Sequence, residues 1–428
     1  FATIVAGIVA RNGLEGLMTA TILAGVFLII MGFCHFGSLI KFIPYTITTG
    51  FTSGIAVTIV IGQLKDFCGV TYPDGVKPIE TMEKLKAFAE NFSTISPDAL
   101  IVGGVSLAIL IVSPLIFKKI PGSLIAVIAG ILMVQFLPLH VSTIGNLYTI
   151  SNALPTLHLP VFDMKLIQSA IPNAFTIAVL AAIESLLSCV VADGMINSKH
   201  RSDTELIAQG AGNIASALFG GIPATGAIAR TAANIKNGGR TPVAGMVHSI
   251  TLVIVLVVLM PFAGMIPMPT IAAILFLVAY NMCQWRTFVH LVRTAPKSDI
   301  IVLFTTFVLT VVFDLVVAIE IGMVLACLLF IKRMSEETHA DSWVYVDDDS
   351  PAVDEHLQKL PLEIRVYEIT GPLFFGAADA IEHIVVKDFT KCLVLRMRSV
   401  PTIDSTAMNA LQNLTKLCES KGITLVFS

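Results

Sequence analysis

The stretch FGGIPATGAIARTAANIKNGG (residues 219–239) interrupts an apolar region with glycines, a proline and one arginine, Arg230. A second stretch, AFTIAVLAAIESLLSCVVADGM (residues 174–195), is a long apolar run with Glu184 near its middle. A charge at the centre of a bilayer costs roughly 2.5–3.5 kcal/mol on insertion scales, so such charges usually face a cavity on an ion or substrate path. The two stretches therefore predict a membrane transporter.

The composition is that of a membrane protein with many spans. Apolar residues make up 55% of the chain and charged residues 13%, and the mean hydropathy is +0.84. Soluble domains average about 25% charged residues, so a soluble enzyme is excluded. The net charge of −3 gives no sign of nucleic-acid binding. No catalytic or metal-binding motif is present, and none of the seven cysteines forms a C-x-x-C pair, so we expect no enzyme activity, metal or cofactor.

Apolar segments of roughly 20 residues predict the membrane-spanning helices. The predicted spans cover residues 14–36, 43–63, 99–117, 123–139, 174–195, 204–220, 241–263, 270–285, 299–313 and 315–331. Two shorter segments, residues 1–10 and 226–235, are predicted half-helices. Spans broken by glycine and proline point to a binding site near the middle of a transporter. The last predicted span ends at residue 331. Loops on that side of the membrane contain more lysine and arginine than loops on the other side, which places that side in the cytoplasm.

The sequence changes character after the predicted membrane domain, residues 1–335. Residues 336–355 are predicted to be an acidic linker, and residues 356–428 follow a β-α-β-α-β pattern typical of a small α/β domain. Both ends of the chain lie inside predicted elements, so we expect a longer protein on both sides.

Four segments carry a resemblance to a known family. They are PYTITTGFTSGIAV (44–57), AAIESLLSCVVADGM (181–195), ELIAQGAGNIASALFGGIPATGAIARTAANIKNGGRTP (205–242) and ITGPLFFGAADAIEH (369–383). In this order they resemble the sulfate permease (SulP) family of anion transporters, whose members end in a STAS domain. Within the family, the chain is similar to the bacterial DauA-type carriers of C4-dicarboxylates.

The resemblance implies a fold of fourteen membrane segments in two inverted repeats of seven. A core domain carries the substrate past a gate domain in an elevator-like movement, and the STAS domain lies in the cytoplasm. This chain would begin within the third segment, so the segments before it are missing from the predicted site. The family also implies a homodimer in the lipid of the bacterial inner membrane.

The resemblance places an anion site at the start of the half-helix near Arg230. In the family, the half-helices of the third and tenth segments meet N-terminus to N-terminus. Each such end offers unpaired N–H groups and about half a positive charge. The substrate-binding residues are then Ala227, Ile228, Ala229 and Arg230, largely through their backbone. The alternative is that Arg230 only pairs with a structural carboxylate or extends to the membrane surface.

Glu184 is the expected coupling residue. The pattern ESLLS places Ser188 one helical turn beyond Glu184 on the same face, with Ser185 beside it. In sodium-coupled bicarbonate relatives an acidic residue at the place of Glu184 helps bind sodium. Those relatives lack an arginine at the place of Arg230. The combination of Glu184 with Arg230 therefore resembles the proton-coupled or exchanging members of the family. Burial favours the neutral acid and a nearby arginine favours the charged form. The alternative is a permanent Glu184–Arg230 ion pair that only holds the helices together.

Other polar residues have expected structural or regulatory roles. Asn213, Gln209 and Asn234 lie on or beside the broken segment and are expected to hold helices together. Ser405, in PTIDSTAMNAL (401–411), occupies the place at which some STAS relatives carry a phosphorylated serine. It also suits the N-cap of the following helix, which is the interpretation we favour. A cytoplasmic partner of the STAS domain is expected.

The sequence thus favours proton-coupled secondary transport of a small anion, with a dicarboxylate such as succinate as the leading substrate. Transport of sulfate or bicarbonate, coupled to sodium or protons, and anion exchange remain open. A STAS-linked channel or sensor with little flux is an alternative of another class. Nucleobase carriers share the membrane fold, but they lack a STAS domain.

Overall fold

The computed structural model describes residues 2–38, 44–73, 78–116, 120–148, 153–159, 163–313, 315–342, 361, 363–382, 384 and 389–428. The chain divides into two compact units, Phe1–Met323 and Val324–Ser428. The helices up to the end of the membrane region are α1 (Ala2–Phe33), α2 (Tyr45–Cys68), α3 (Thr81–Glu90), α4 (Pro97–Ile116), α5 (Gly122–Phe136), α6 (Ile144–Leu147), α7 (Met164–Ile196), α8 (Ser202–Leu218), α9 (Ile228–Lys236), α10 (Val243–Ile254), α11 (Met260–Ala263), α12 (Met268–Cys283), α13 (Trp285–Thr294), α14 (Lys297–Val312) and α15 (Leu315–Glu336). A π-helical turn, Val255–Leu259, joins α10 to α11.

Five helical stretches within the described residues are long and apolar enough to cross a membrane. They are Ile4–Phe33, Tyr45–Cys68, Pro97–Ile116, Met164–Ile196 and Met268–Thr294. The other predicted spans also contain helices: those in 123–139 and 241–263 are shorter than predicted, the one in 204–220 has the predicted length, and those in 299–313 and 315–331 are longer. The span predicted to start at residue 174 begins ten residues earlier and continues through Pro172, because a proline in a membrane helix is tolerated where neighbours satisfy the freed backbone groups.

A sharp break at Gly13 divides α1 into two parts. Gly13 has φ 70° and ψ −176°, a conformation that side chains with a Cβ rarely adopt. The part before Gly13 corresponds to the half-helix predicted at residues 1–10, and the part after it to the span predicted from residue 14. The sequence therefore located this break correctly.

The helices α1, α7, α8 and α9 form a first bundle. Its core is made of small and branched residues, among them Ala24, Leu28, Ala178 and Leu206, all fully or almost fully buried. A Cβ placed on Gly25 of α1 would lie only 2.6 Å from the carbonyl oxygen of Gly210 on α8. Glycine at this crossing therefore lets the two backbones touch, as is common between membrane helices.

The helices α2, α4, α5, α12, α13 and α14 form a second bundle. A buried pair of hydroxyls, Ser106 Oγ and Thr270 Oγ1, lies 2.9 Å apart between α4 and α12. Ser53 Oγ on α2 donates to the carbonyl oxygen of Cys283 at 2.7 Å. These hydroxyls thus satisfy each other and a backbone carbonyl inside this bundle, where little water is available.

A small apolar cluster joins the two bundles. Phe51 of α2 and Ile319 of α15 pack with Leu180 of α7, and Ile4 and Ile183 lie against them. The cluster flanks the turn of α7 that carries Glu184. The contact between the bundles is therefore apolar next to the predicted coupling residue.

The second unit contains a four-stranded sheet in the order β1-β2-β3-β4, with helices α16 (Asp379–Glu382) and α17 (Ser405–Ser420). Strand β1 (His339–Ser342) pairs antiparallel with β2 (Ile364–Thr370), and β3 (Cys392–Ser399) and β4 (Thr424–Phe427) continue the sheet in parallel. Strand β1 lies within the predicted linker, so that prediction is wrong for residues 339–342. Residues 343–355 of the linker lie outside the described residues.

The contact of α1 with α8 gives a test of the first bundle. Gly210→Ala would push a methyl group into the carbonyl of Gly25, and we expect it to destabilise the protein by about 1–3 kcal/mol. Gly212→Ala, two residues along α8, meets nothing within 4 Å and is the matched control. Thermal unfolding in detergent measures both. Equal unfolding temperatures for the two variants would contradict this packing.

Candidate anion site

Helix α9 begins beside α7 without a side-chain cap. The connection before it, residues 221–227, is not helical, and Ala227 occupies the N-cap position with φ −125° and ψ 113°. The first N–H groups of any helix have no partner within that helix. They carry the positive end of the helix dipole, which favours an anion. The start of α9 is therefore an electrostatically positive point among apolar helices.

Helix α7 holds the start of α9 through its two predicted serines. Ser185 Oγ accepts from the Gly226 backbone N–H at 3.0 Å and lies 3.1 Å from Thr225 Oγ1. One turn further on, Ser188 Oγ lies 2.6 Å from Thr231 Oγ1. Both serines are buried. The structure thus brings Ser185 and Ser188 to the predicted anion-binding segment.

Glu184 lies on the same stretch of α7 and is half-buried. Its position four residues before Ser188 places it on the face of α7 that meets α9. Among the described residues, no lysine, arginine or histidine nitrogen lies within 4.0 Å of its carboxylate. Arg230, in the first turn of α9, is exposed. The structure therefore does not contain the permanent Glu184–Arg230 pair.

The four predicted substrate-binding residues lie together at the start of α9. Ala227 is exposed, and Ile228 is half-buried. Ala229 and Arg230 follow within the first turn of the helix. The first described turn of α1 approaches the same part of α7, because Ile4 packs beside Leu180 and Ile183.

Sequence reasoning missed Thr225 and Thr231. Their hydroxyls meet Ser185 and Ser188, and Thr225 also donates to the carbonyl of Ala181 at 3.2 Å. Their position beside a broken membrane helix, together with their hydroxyl groups, is the sequence feature that could have identified Thr225 and Thr231. Asn213 and Gln209, expected to hold helices together, instead bind the backbone of Ala224 in the connection before α9.

Ser405 is not the N-cap of its helix. Asp404 caps α17: its Oδ1 accepts from the Ala407 N–H at 2.8 Å, and its Oδ2 accepts from the Phe375 N–H at 2.8 Å. A carboxylate accepts two N–H groups at once, which a single hydroxyl of Ser405 does less well. Ser405 is the first residue of α17 and is exposed. The cap interpretation of Ser405 is therefore wrong.

The helical membrane region with its broken segments is that of a multi-pass membrane transporter, and a small α/β domain follows it. Residues 1–306 match the model of the sulfate permease family, and residues 358–428 match that of the STAS domain. The chain belongs to the sulfate permease family.

Among the relatives that match almost the whole chain are two bacterial proteins. One is "Putative sulfate transporter YvdB" of Bacillus subtilis (strain 168), 38% identical over 426 residues, which are 97% of this chain and 77% of that protein. The other is "Bicarbonate transporter BicA" of Synechocystis sp., 32% identical over 432 residues, which are 98% of this chain and 75% of that protein.

Solved structures show the same fold. The murine anion transporter Slc26a9 in its inward-facing state aligns with a TM-score of 0.83 at 19% identity, over 97% of this chain and 69% of that one. The transmembrane domain of a cyanobacterial BicA aligns with a TM-score of 0.63 at 30% identity, over 76% of this chain and 80% of that one. The predicted fold class, a helical membrane domain followed by a small α/β STAS domain, is confirmed.

Proposed function

We propose that this protein carries a small anion across the membrane by secondary active transport, with the anion bound at the start of α9. The observation that carries the proposal is the uncapped N-terminus of α9, held by α7 and α8 inside the first bundle, with Arg230 in its first turn. Backbone N–H groups and the helix dipole favour negative charge there, and the guanidinium adds a full positive charge.

The movement proposed is of the elevator type. The site lies wholly on the first bundle, and the apolar cluster of Phe51, Leu180 and Ile319 lies between that bundle and its neighbours. Apolar contacts have no directional hydrogen bonds to break, so one bundle can slide against the other. We propose that the protein is a homodimer in a bacterial inner membrane, with the STAS domain in the cytoplasm.

The substrate we favour is a small oxyanion such as sulfate or bicarbonate, the anions in the names of the two relatives. A C4-dicarboxylate such as succinate is the second candidate. Ala227 and Ile228 at the start of α9 offer no side-chain hydrogen-bond donor, and this apolar edge suits the methylene groups of a dicarboxylate. The resemblance to DauA-type carriers supports the same candidate.

Glu184 is the proposed coupling residue, together with Ser185, Ser188 and the newly found Thr231. A half-buried carboxyl beside the anion can carry a proton in with the substrate. The same carboxylate with three hydroxyl oxygens also suits sodium, which prefers hard oxygen ligands. We favour proton coupling. The positive charge of Arg230 repels a bound sodium ion, whereas it does not repel a Glu184 side chain that is protonated and therefore neutral.

The role of Arg230 is tested by uptake into proteoliposomes of the full-length protein, with labelled sulfate, bicarbonate and succinate compared. We expect Arg230→Ala to reduce the uptake of the transported anion roughly tenfold or more, because a hydrogen bond to a charged group is worth about 1.5–3 kcal/mol. Lys236→Ala, at the other end of α9, is the control and should transport normally. Equal uptake by the two variants would refute the site. Uptake that only equilibrates and never accumulates under any gradient would favour the channel alternative.

The coupling ion is tested by the pH dependence of the same uptake. An inward proton gradient should stimulate wild-type uptake, and Glu184→Gln should remove the stimulation, since the amide carries no exchangeable charge at this place. Glu15→Gln, an exposed glutamate on α1, is the control. If Glu184→Gln kept its full response to protons, Glu184 would not be the proton carrier. If the wild type responded to sodium gradients alone, sodium would replace the proton in this account.

A regulatory role is proposed for Ser405. A phosphate on the exposed first residue of α17 would lie at the positive end of that helix and would alter the surface that a cytoplasmic partner meets. Mass spectrometry of the protein purified from its host should find phosphate on Ser405, and Ser405→Glu should change the uptake rate while Ser420→Glu, at the other end of α17, should not. An unmodified Ser405 with normal uptake in Ser405→Glu would remove this role.

A further inference from the structure

The connection before α9 is tied down by one buried side chain of α8. The Asn213 side chain is only 1% exposed. Its Oδ1 accepts from the Ala224 N–H at 2.8 Å, and its Nδ2 donates to the Ala224 carbonyl at 3.0 Å. The same Nδ2 donates to the carbonyl of Gln209 at 2.9 Å, so every hydrogen-bonding direction of the amide nitrogen is used.

This pairing fixes both the distance and the orientation of the backbone at Ala224. Two bonds to one residue resemble a rung of an antiparallel β-ladder, and they leave the peptide little freedom to rotate. Gln209 Nε2 adds a bond to the same Ala224 carbonyl. We call these hydrogen bonds of Asn213 and Gln209 to Ala224 the clamp. The clamp is separated from the start of α9 by only three residues, Thr225, Gly226 and Ala227.

The helix that carries the clamp is itself held firmly. Gly210, next to Gln209, meets the backbone of Gly25 on α1 with no room for a Cβ on either residue. The clamp therefore connects the start of α9 to the paired helices α1 and α8. Ser185 of α7 holds the connection again at Gly226, from another side.

We infer that Asn213 is the positioning residue of the anion site. This inference rests on the proposed function. Among the described residues, the side-chain hydrogen bonds of Asn213 go to Ala224 and Gln209 and not to residues 227–230. Asn213 therefore acts through Ala224, by setting where the free N–H groups of α9 point. A displacement of that turn by a fraction of an ångström weakens each N–H contact with the anion, so the expected effect is on affinity.

The experiment uses Asn213→Asp, which keeps the shape of the side chain. At alkaline pH the introduced carboxylate cannot donate a hydrogen bond. The oxygen that replaces Nδ2 then faces the carbonyl oxygen of Ala224, and the two oxygens repel each other. We expect the KM for the transported anion to rise about tenfold, the effect of roughly 1.4 kcal/mol. When the pH is lowered, the protonated acid can donate to the carbonyl as the amide does, so the ratio of variant KM to wild-type KM should fall toward one.

Ser106→Ala is the matched control, because it removes a buried hydrogen bond in the second bundle. It should lower the unfolding temperature without changing the KM. Hydrogen–deuterium exchange of the amides of residues 224–231, at equal pH for both proteins, gives a readout independent of transport. We expect faster exchange there in Asn213→Asp than in the wild type. Unchanged exchange would overturn the inference.

Arg230→Ala, measured alongside, separates this inference from the proposed function. A raised KM in Arg230→Ala beside a normal KM in Asn213→Asp would overturn the role of Asn213 alone. A normal KM in Arg230→Ala would refute the site itself. A raised KM in Asn213→Asp that did not recover at low pH would also overturn the inference, because it would indicate general damage rather than a lost donor.

Discussion

The structure depends on the hydrogen bonding of one non-helical connection inside a membrane bundle. In the hydrocarbon region no water satisfies free N–H and C=O groups, so irregular backbone is tolerated only where protein groups bind it or where it lines a cavity. Residues 221–227 meet this requirement through side chains of two neighbouring helices. Ser216 binds the Ile222 carbonyl, Asn213 binds Ala224, and Ser185 binds Gly226. The first N–H groups of α9 have no partner within that helix, and an anion can bind them.

This arrangement also explains why small residues are placed where they are. A Cβ on Gly226 would lie 3.1 Å from the Cα of Ser185, so glycine lets the connection lie directly on α7. The glycines at the crossing of α1 with α8 serve the same purpose further away. Close backbones make the first bundle a stiff support, and a stiff support keeps the helix end, Arg230 and Glu184 in one geometry.

The sequence predicted the broad organisation because the membrane imposes strong rules. Hydropathy located the spans, and the gap between the predicted segments 1–10 and 14–36 and the glycines in residues 219–227 located the breaks. Glu184 and Arg230 stood out as rare charges. The start of α7 was missed because Pro172 usually limits a helix in a soluble protein, whereas a membrane helix continues through it. Strand β1 was missed because a four-residue edge strand in an acidic segment has no clear alternation. The Ser188–Thr231 contact and the Asp404 cap depend on side-chain geometry, which no spacing rule specifies.

The central claim is that the transported anion occupies the start of α9, and accessibility of Ala227 tests it directly. In a variant without the native cysteines, Ala227→Cys would present an exposed thiol at this point, and its rate of reaction with a charged thiol reagent is measured in proteoliposomes. The account predicts that the transported anion slows the reaction at concentrations near its KM, and that a non-transported anion has no effect. A reaction rate independent of the transported anion, in a variant that still transports, would contradict the claim.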